Sequence, residues 1–167
     1  MTSPTRTAYD VAAEVPDPEL PQLTLADLGI LRSVEVDEAD GAVVAVITPT
    51  YSGCPAMREI GHDVRHRLEQ AGFHDVEVRF QLAPAWSTEW ITDEGRRKLH
   101  AAGIAPPSAV RPRTGPVPLT LGRPPAVACP RCGAGDTRQT AAFSGTACKS
   151  LHRCVACGEP FEAVKPL

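Results

Sequence analysis

Two cysteine pairs constrain this chain more than any other feature. Cys129-Pro-Arg-Cys132 and Cys154-Val-Ala-Cys157 are C-x2-C pairs with 21 residues between them, each followed by a glycine, Gly133 and Gly158. A tight turn lets both thiolates of a pair reach one ion, and two pairs close a tetrahedral shell of four sulfurs. The spacing predicts a zinc ribbon with Cys129, Cys132, Cys154 and Cys157 as metal ligands. Such a shell has no open position for a substrate, so the zinc is expected to be structural. Two readings compete. The cysteines could form two disulfides in an oxidising compartment, and a tetrahedral all-sulfur shell also suits iron, as in rubredoxin-like sites.

The ribbon, residues 127–167, is too short for an adequate hydrophobic core. Its ion is therefore expected to supply most of its folding free energy. Upstream, residues 104–126 hold seven of the 17 prolines and read as an extended linker. Residues 1–103 carry 9 Lys/Arg and 17 Asp/Glu, so the first domain is acidic. That argues against a nucleic-acid surface, whose footprint is basic. No run of about 18 apolar residues is present, so no membrane span is expected. The first residues lack the pattern of a signal peptide, and the expected location is cytoplasmic, where thiols stay reduced.

The periodicity of residues 1–103 predicts an α+β domain. Residues 6–15 form a short helix ended by Pro16-Asp17-Pro18-Glu19-Leu20-Pro21, since each proline disfavours helix in the residue before it. Residues 30–36 and 42–50 read as strands around the turn Asp37-Glu38-Ala39-Asp40-Gly41, the second strand nearly all apolar and hence central. Residues 55–71 give the clearest helix, with Met57, Ile60, Val64, Leu68 and Ala71 on one face and Gly72 as its stop. A strand at 74–82 and a helix at 92–102 complete the domain.

Between the central strand and the main helix lies Thr50-Tyr51-Ser52-Gly53-Cys54-Pro55-Ala56. The pattern places Cys54 at the helix N-cap, where unpaired amide donors and the helix dipole favour a thiolate. A depressed thiol pKa and a nucleophilic or metal-binding sulfur are expected there; a small residue filling a tight turn is the alternative. Asp17 and Glu19 form a candidate carboxylate pair or a plain solvated loop. His62 and His66 resemble a zinc-protease pattern but lie on the charged side of their helix with no third ligand. Cys148, a fifth cysteine in the ribbon, reads as a buried strand thiol, an alternate ligand or a redox-active group. Trp86 and Trp90 read as core or as a partner-binding patch.

Asp17-Pro18-Glu19-Leu20-Pro21, Asp27-Leu28-Gly29 and the stretch ITPTYSGCP resemble the MIP18 (DUF59) family, which is associated with iron–sulfur cluster assembly. The likeness covers about residues 8–85 and implies a small sheet with helices packed on one face. The longer run PTYSGCPAM, LAPAWSTEWITDEGRRKL, IAPP and TACKSLHRCVACGEPF resembles the D-subunit family (also designated J) of bacterial phenylacetyl-CoA epoxidase systems, over nearly the whole chain. This resemblance implies that Cys54 is a functional thiol and that Asp17, Glu19, Thr50 and Cys148 occupy supporting positions. It also implies the four ribbon ligands, and partners among the other components: a di-iron oxygenase and an iron–sulfur reductase. The expected role is an accessory subunit, not an enzyme by itself, that assists assembly or maintenance of iron or iron–sulfur centres, with iron or a cluster held transiently at Cys54. Two alternatives stand beside it: a structural docking subunit, and a thiol-dependent enzyme with Cys54 as nucleophile. The chain lacks the two E-x-x-H motifs of a di-iron site and the G-x-G-x-x-G of a dinucleotide site, so it is not expected to perform oxygenation itself.

Overall fold

The computed structural model describes residues 4–51, 53–107 and 127–166. It divides into two compact units after Lys98. The first contains α1 (Pro4–Ala13), β1 (Leu31–Val36), β2 (Ala42–Ile47), α2 (Met57–Gln70) and β3 (His74–Phe80), and α3 (Asp93–Ala101) runs across the division.

The sheet order is β1-β2-β3. β1 and β2 are an antiparallel hairpin, and β3 lies parallel to β2 after the α2 crossover. The hairpin turn closes because the Asp37 carboxylate accepts the Ala39 N–H at 2.7 Å and the Asp40 carboxylate accepts that of Ala42 at 3.0 Å. β2 is central, as its apolar run implies. Val43, Ala45 and Ile47 are buried, while Val44 and Val46 on the opposite face are half-buried. The buried stripe of α2 (Ile60, Val64, Leu68) completes this core with Ala8, Ala12 and Val15. Each fully buried Val or Leu contributes about 2 kcal/mol relative to exposure. α2 stops where Gly72, at φ +93°, turns the chain so that its N–H reaches the Glu69 carbonyl at 3.0 Å.

A second layer of order lies around Asp27-Leu28-Gly29. The Asp27 carboxylate accepts the Thr24 N–H at 2.9 Å and the Lys98 ammonium at 2.6 Å. Burial alone would raise the pKa of this acid, but Lys98 and Thr24 outweigh it and hold the carboxyl below its ordinary value. The Trp86 indole N–H donates to the Leu28 carbonyl at 2.8 Å, and the Thr92 N–H donates to that of Asp27 at 2.9 Å. Trp86 is therefore core. Trp90 ends a single 3-10 turn (Thr88–Trp90) and lies half-buried under the Arg32 guanidinium, 3.8 Å from its ring centre. The two tryptophans do not share a helical face, because the PAWS segment is not helical up to that turn.

The second unit is a four-stranded sheet of order β4-β7-β6-β5: β4 (Ile104–Ala105), β5 (Thr137–Ala141), β6 (Lys149–Cys154) and β7 (Pro160–Val164). Here the structure departs from the sequence reading. Ile104 and Ala105, expected to open the linker, pair in parallel with Glu162 and Ala163 of β7. Ala105 joins Cys129, Cys154, Phe161 and Ala163 in the ribbon core. A two-residue strand leaves no periodicity to read, and its partner lies more than fifty residues away. Of the rest of the expected linker, residues 108–126 lie outside the described residues.

Candidate functional site

The four ribbon cysteines converge. Cys129 and Cys154 are buried, Cys132 and Cys157 exposed, and their sulfurs all lie within 4.8 Å of one another. Across the two turns, the Sγ atoms of Cys129 and Cys157 are 3.8 Å apart, and those of Cys132 and Cys154 are 3.6 Å apart. A tetrahedral ion with metal–sulfur bonds of about 2.3 Å demands sulfur–sulfur edges of ~3.8 Å. A disulfide would demand ~2.05 Å, and none of these cysteines is in a disulfide. The donor set thus fits one tetrahedral metal ion, and the disulfide reading is set aside.

The local chain explains the fit. The Gly133 N–H returns to the Cys129 carbonyl at 2.8 Å, and that of Gly158 to Cys154 at 3.1 Å. Both glycines take φ near +75°, which other residues adopt only under strain. The same turns aim amides at sulfur: the Ala134 N–H at Cys132, and those of Cys157 and Ala156 at Cys154. Those amides help hold Cys154 down to about 7. At Cys132 the Ala134 amide is outweighed by proton sharing with Cys157, Cys154 and Cys129, and the thiol is pushed up to about 12. Amide-to-sulfur hydrogen bonds of this kind also spread the charge of a metal-bound thiolate.

Cys54 is positioned differently from the sequence reading. α2 starts at Met57, with Ala56 and not Cys54 at the cap. Cys54 lies two residues earlier, in a turn where its N–H reaches the Tyr51 carbonyl at 3.2 Å and its carbonyl accepts the Met57 N–H at 3.4 Å. Its thiol is half-buried, and its pKa is raised, not depressed. Burial is the largest cause. The Ala56 and Met57 amides pull the pKa down, as expected of a helix start, but the carboxylates of Glu19 and Asp17 push it up, and the upward causes win. The activated-thiolate expectation is therefore corrected. The sequence showed the helix amides; it did not show that the Pro16–Pro21 loop brings acids to the sulfur.

Asp17 is itself buried. Its carboxylate accepts the Leu20 N–H at 2.8 Å and the Glu19 N–H at 2.9 Å. Burial nevertheless raises its pKa, those two amides lower it, and the charges of Glu19 and Glu59 raise it further. Glu59, on the first turn of α2, is thus an acid that acts on Asp17. Thr48 was not foreseen. Its side chain is buried at the end of β2, and its hydroxyl has no hydrogen-bond partner among the described residues. Thr50 is half-buried in the same loop. Cys148 belongs to the other unit, in the turn before β6 and not in a strand, with its sulfur 3.1 Å from the Thr146 hydroxyl. His62 and His66 are exposed and stacked on α2, bound to Asp63 and Gln70. Among the described residues, the ribbon cysteines are the one group of three or more metal-binding side chains drawn close together.

A raised thiol pKa has a measurable consequence. Alkylation needs the thiolate, so the iodoacetamide rate at Cys54 should be slow at neutral pH and rise with a midpoint above the ordinary thiol value. Asp17→Asn and Glu19→Gln should each move that midpoint down, and asparagine can still accept both amides of the loop. Mass-spectrometric pH–rate profiles check this. A midpoint indifferent to both changes would mean that the carboxylates do not act on the sulfur.

Comparison with known proteins now bears on both sites. A protein of Escherichia coli (strain K12), provisionally named as the D subunit of a 1,2-phenylacetyl-CoA epoxidase, is 41% identical over 157 residues, which span 94% of this chain and 90% of that one. The chain belongs to the D-subunit family of phenylacetyl-CoA epoxidases. Within this D-family chain, residues 113–165 match the PaaD zinc beta ribbon domain, a span that contains all four clustered cysteines. Residues 7–80 match the family described as iron–sulfur cluster assembly protein, and that span contains Asp17, Glu19 and Cys54. The Fe-S protein maturation auxiliary factor of Porphyromonas gingivalis (strain ATCC BAA-308 / W83) is 35% identical over 84 residues, half of this chain and 78% of its own. The crystal structure of a DUF59 domain from Bacillus anthracis superposes with a TM-score of 0.54 at 28% identity, covering 57% of this chain and 91% of that one. The α+β fold of the first unit is thus a DUF59-type fold, and the chain joins it to a ribbon whose four clustered cysteines suit one metal ion.

Proposed function

We propose that this chain is a non-catalytic accessory subunit of a phenylacetyl-CoA ring-epoxidising oxygenase, and that it helps assemble or maintain the system's iron or iron–sulfur centres through Cys54. The observation that carries the reading is a half-buried thiol at Cys54 on which the charges of the Asp17 and Glu19 carboxylates act. Soft sulfur next to hard oxygen suits an iron ion in transit. The acids attract a cation, and the cation displaces the thiol proton. A thiol that reclaims its proton readily releases the cargo again. The four-sulfur ribbon takes a structural zinc, and the partners are other subunits of the same system, the di-iron oxygenase, the iron–sulfur reductase or both. The reading takes neither nucleic acid nor membrane as a partner. The first domain is acidic, and no helix among the described residues is long and apolar enough to cross a membrane. It places the chain's work in the cytoplasm, where thiols stay reduced.

One observation favours a second reading, a docking role without metal transfer. Cys54, Asp17 and Glu19 are not drawn together as a preformed chelate. A thiol enzyme is less well supported, because the charged groups that act on Cys54 are carboxylates, which disfavour the nucleophilic thiolate.

The test is an oxygenase purified from cells in which Cys54→Ser is the sole copy. The expected result is normal oxygenase protein with little bound iron and little activity, while zinc in the mutant chain is unchanged. Serine removes the soft donor and keeps the shape of the turn. An oxygenase with full iron and full activity would overturn the transfer role and leave docking.

A further inference from the structure

We infer that the exposed face of the ribbon at β5 and β6 is a docking groove for an acidic, extended segment of a partner protein, gripped by Arg138 and Arg153. This goes beyond the proposed role of Cys54 and does not depend on it.

The two arginines are direct cross-strand partners in the antiparallel β5–β6 pair. Like charges placed opposite each other destabilise a sheet, and no carboxylate among the described residues offsets this pair. The other strongly basic side chains of the ribbon are engaged. Arg131 binds Glu159, Lys149 binds Glu162, and Lys165 covers the Phe143 ring. The Arg153 Nε–H donates to the Gly158 carbonyl at 3.3 Å, and the side chain is exposed.

Arg138 and Arg153 line an open groove of about 480 Å³ together with Thr140, Val155, Gly158 and the ribbon cysteine Cys154. Val155 is 50% exposed, and Leu151, on the same strand face as Arg153, is 36% exposed. β5 is the last strand of its sheet, so its outer edge offers a row of backbone donors and acceptors. A strand edge unpaired among the described residues, two arginine forks without carboxylates and exposed aliphatic side chains match an added strand whose residues on the arginine face include both Glu or Asp and an apolar side chain. Guanidinium forks take carboxylates bidentately, which fixes the register of such a segment.

The rival explanation is internal. A zinc tetrathiolate is dianionic, and Arg153 adjoins the ligand Cys154, so the arginines could serve only to balance the metal site. Arg138→Glu separates the two ideas. It places an acid opposite Arg153, which turns a repulsive cross-strand pair into an attractive one, and it leaves the chain next to Cys154 unchanged.

The experiment uses the full zinc-loaded chain and a short fluorescein-labelled peptide of repeating Glu-Ser-Val-Ser, which puts Glu and Val on one strand face, with a Lys-Ser-Val-Ser peptide and inorganic pyrophosphate as comparisons. Fluorescence anisotropy should show the acidic peptide binding, with affinity that falls as salt rises. Arg138→Glu should weaken it by at least about tenfold, as loss of a charge-assisted pair implies, while zinc content and thermal stability hold or rise. Cys54→Ser should bind the peptide like the unaltered chain. No binding of the acidic peptide, or equal binding of the basic one, would overturn the proposal. So would displacement of the peptide by equimolar pyrophosphate, which would make the groove a small-anion site. Loss of zinc from Arg138→Glu without loss of peptide would assign the arginines to the metal centre instead.

Discussion

Removal of zinc should unfold the ribbon and leave residues up to Lys98 folded. With a strong chelator, amide signals from residues 127–166 should collapse toward random-coil positions, while the fluorescence of Trp86 and Trp90 stays native. These are the only two tryptophans in the chain, and both lie in the first unit. The buried cluster of the ribbon explains the size of the effect. Of its five members, Cys129 and Cys154 belong to the four-sulfur group, which leaves Phe161, Ala163 and Ala105 as the apolar contribution. Against so small a core, metal binding worth about 10–16 kcal/mol dominates. Ile104–Ala105 should lose protection together with the ribbon, because their strand partner is β7. Cys129→Ser should reproduce the collapse without chelator. If tryptophan fluorescence were lost in step with the ribbon signals, the two units would not fold independently, and the division after Lys98 would carry no thermodynamic meaning.

Gly29→Ala should destabilise the first unit by about 3 kcal/mol, lowering its Tm by on the order of 15 °C. Gly29 sits at φ +66°, and a methyl group there would lie 2.7 Å from the Trp90 Cβ and would run into the Trp90 carbonyl oxygen. Both costs apply at once, a left-handed backbone and an overpacked contact with rigid main chain. The contact cannot yield easily. The adjoining segment is tied down by the Trp86 indole on Leu28 and by Thr92 on Asp27. Gly72→Ala is the internal control. Its φ is +93° and a methyl group there would meet nothing within 4 Å, so it should cost only the backbone strain, about 1 kcal/mol. Thermal melts followed by tryptophan fluorescence compare the two. Equal losses would mean that the close packing of Trp90 on Gly29 contributes nothing.

The sequence by itself determined whatever is written in local spacing. Two C-x2-C-G runs specified two identical turns, and the sulfur geometry follows from them. The period of Ile60, Val64 and Leu68 marked α2, and the apolar run through Val43 and Ile47 marked the central strand, because burial selects side chains at the repeat of the element that carries them. The family motifs at Asp17–Pro21 and Thr48–Pro55 pointed to the segments that meet at the first site. Only the tertiary structure decided what those segments do to one another. Cys54 lies at the approach to a helix, so local reasoning counted the amides that favour its thiolate. The carboxylates of Asp17 and Glu19 arrive from more than thirty residues away, and their charge together with burial reverses the sign. β4 was hidden for the same reason, since its two residues become a strand only beside Glu162 and Ala163. The opposition of Arg138 and Arg153 is likewise a matter of register, which depends on how two strands align and not on either strand alone. Bonding along the chain is local and can be read from it. Electrostatic fields and strand pairing act through space, so their outcome depends on where the fold brings distant residues together.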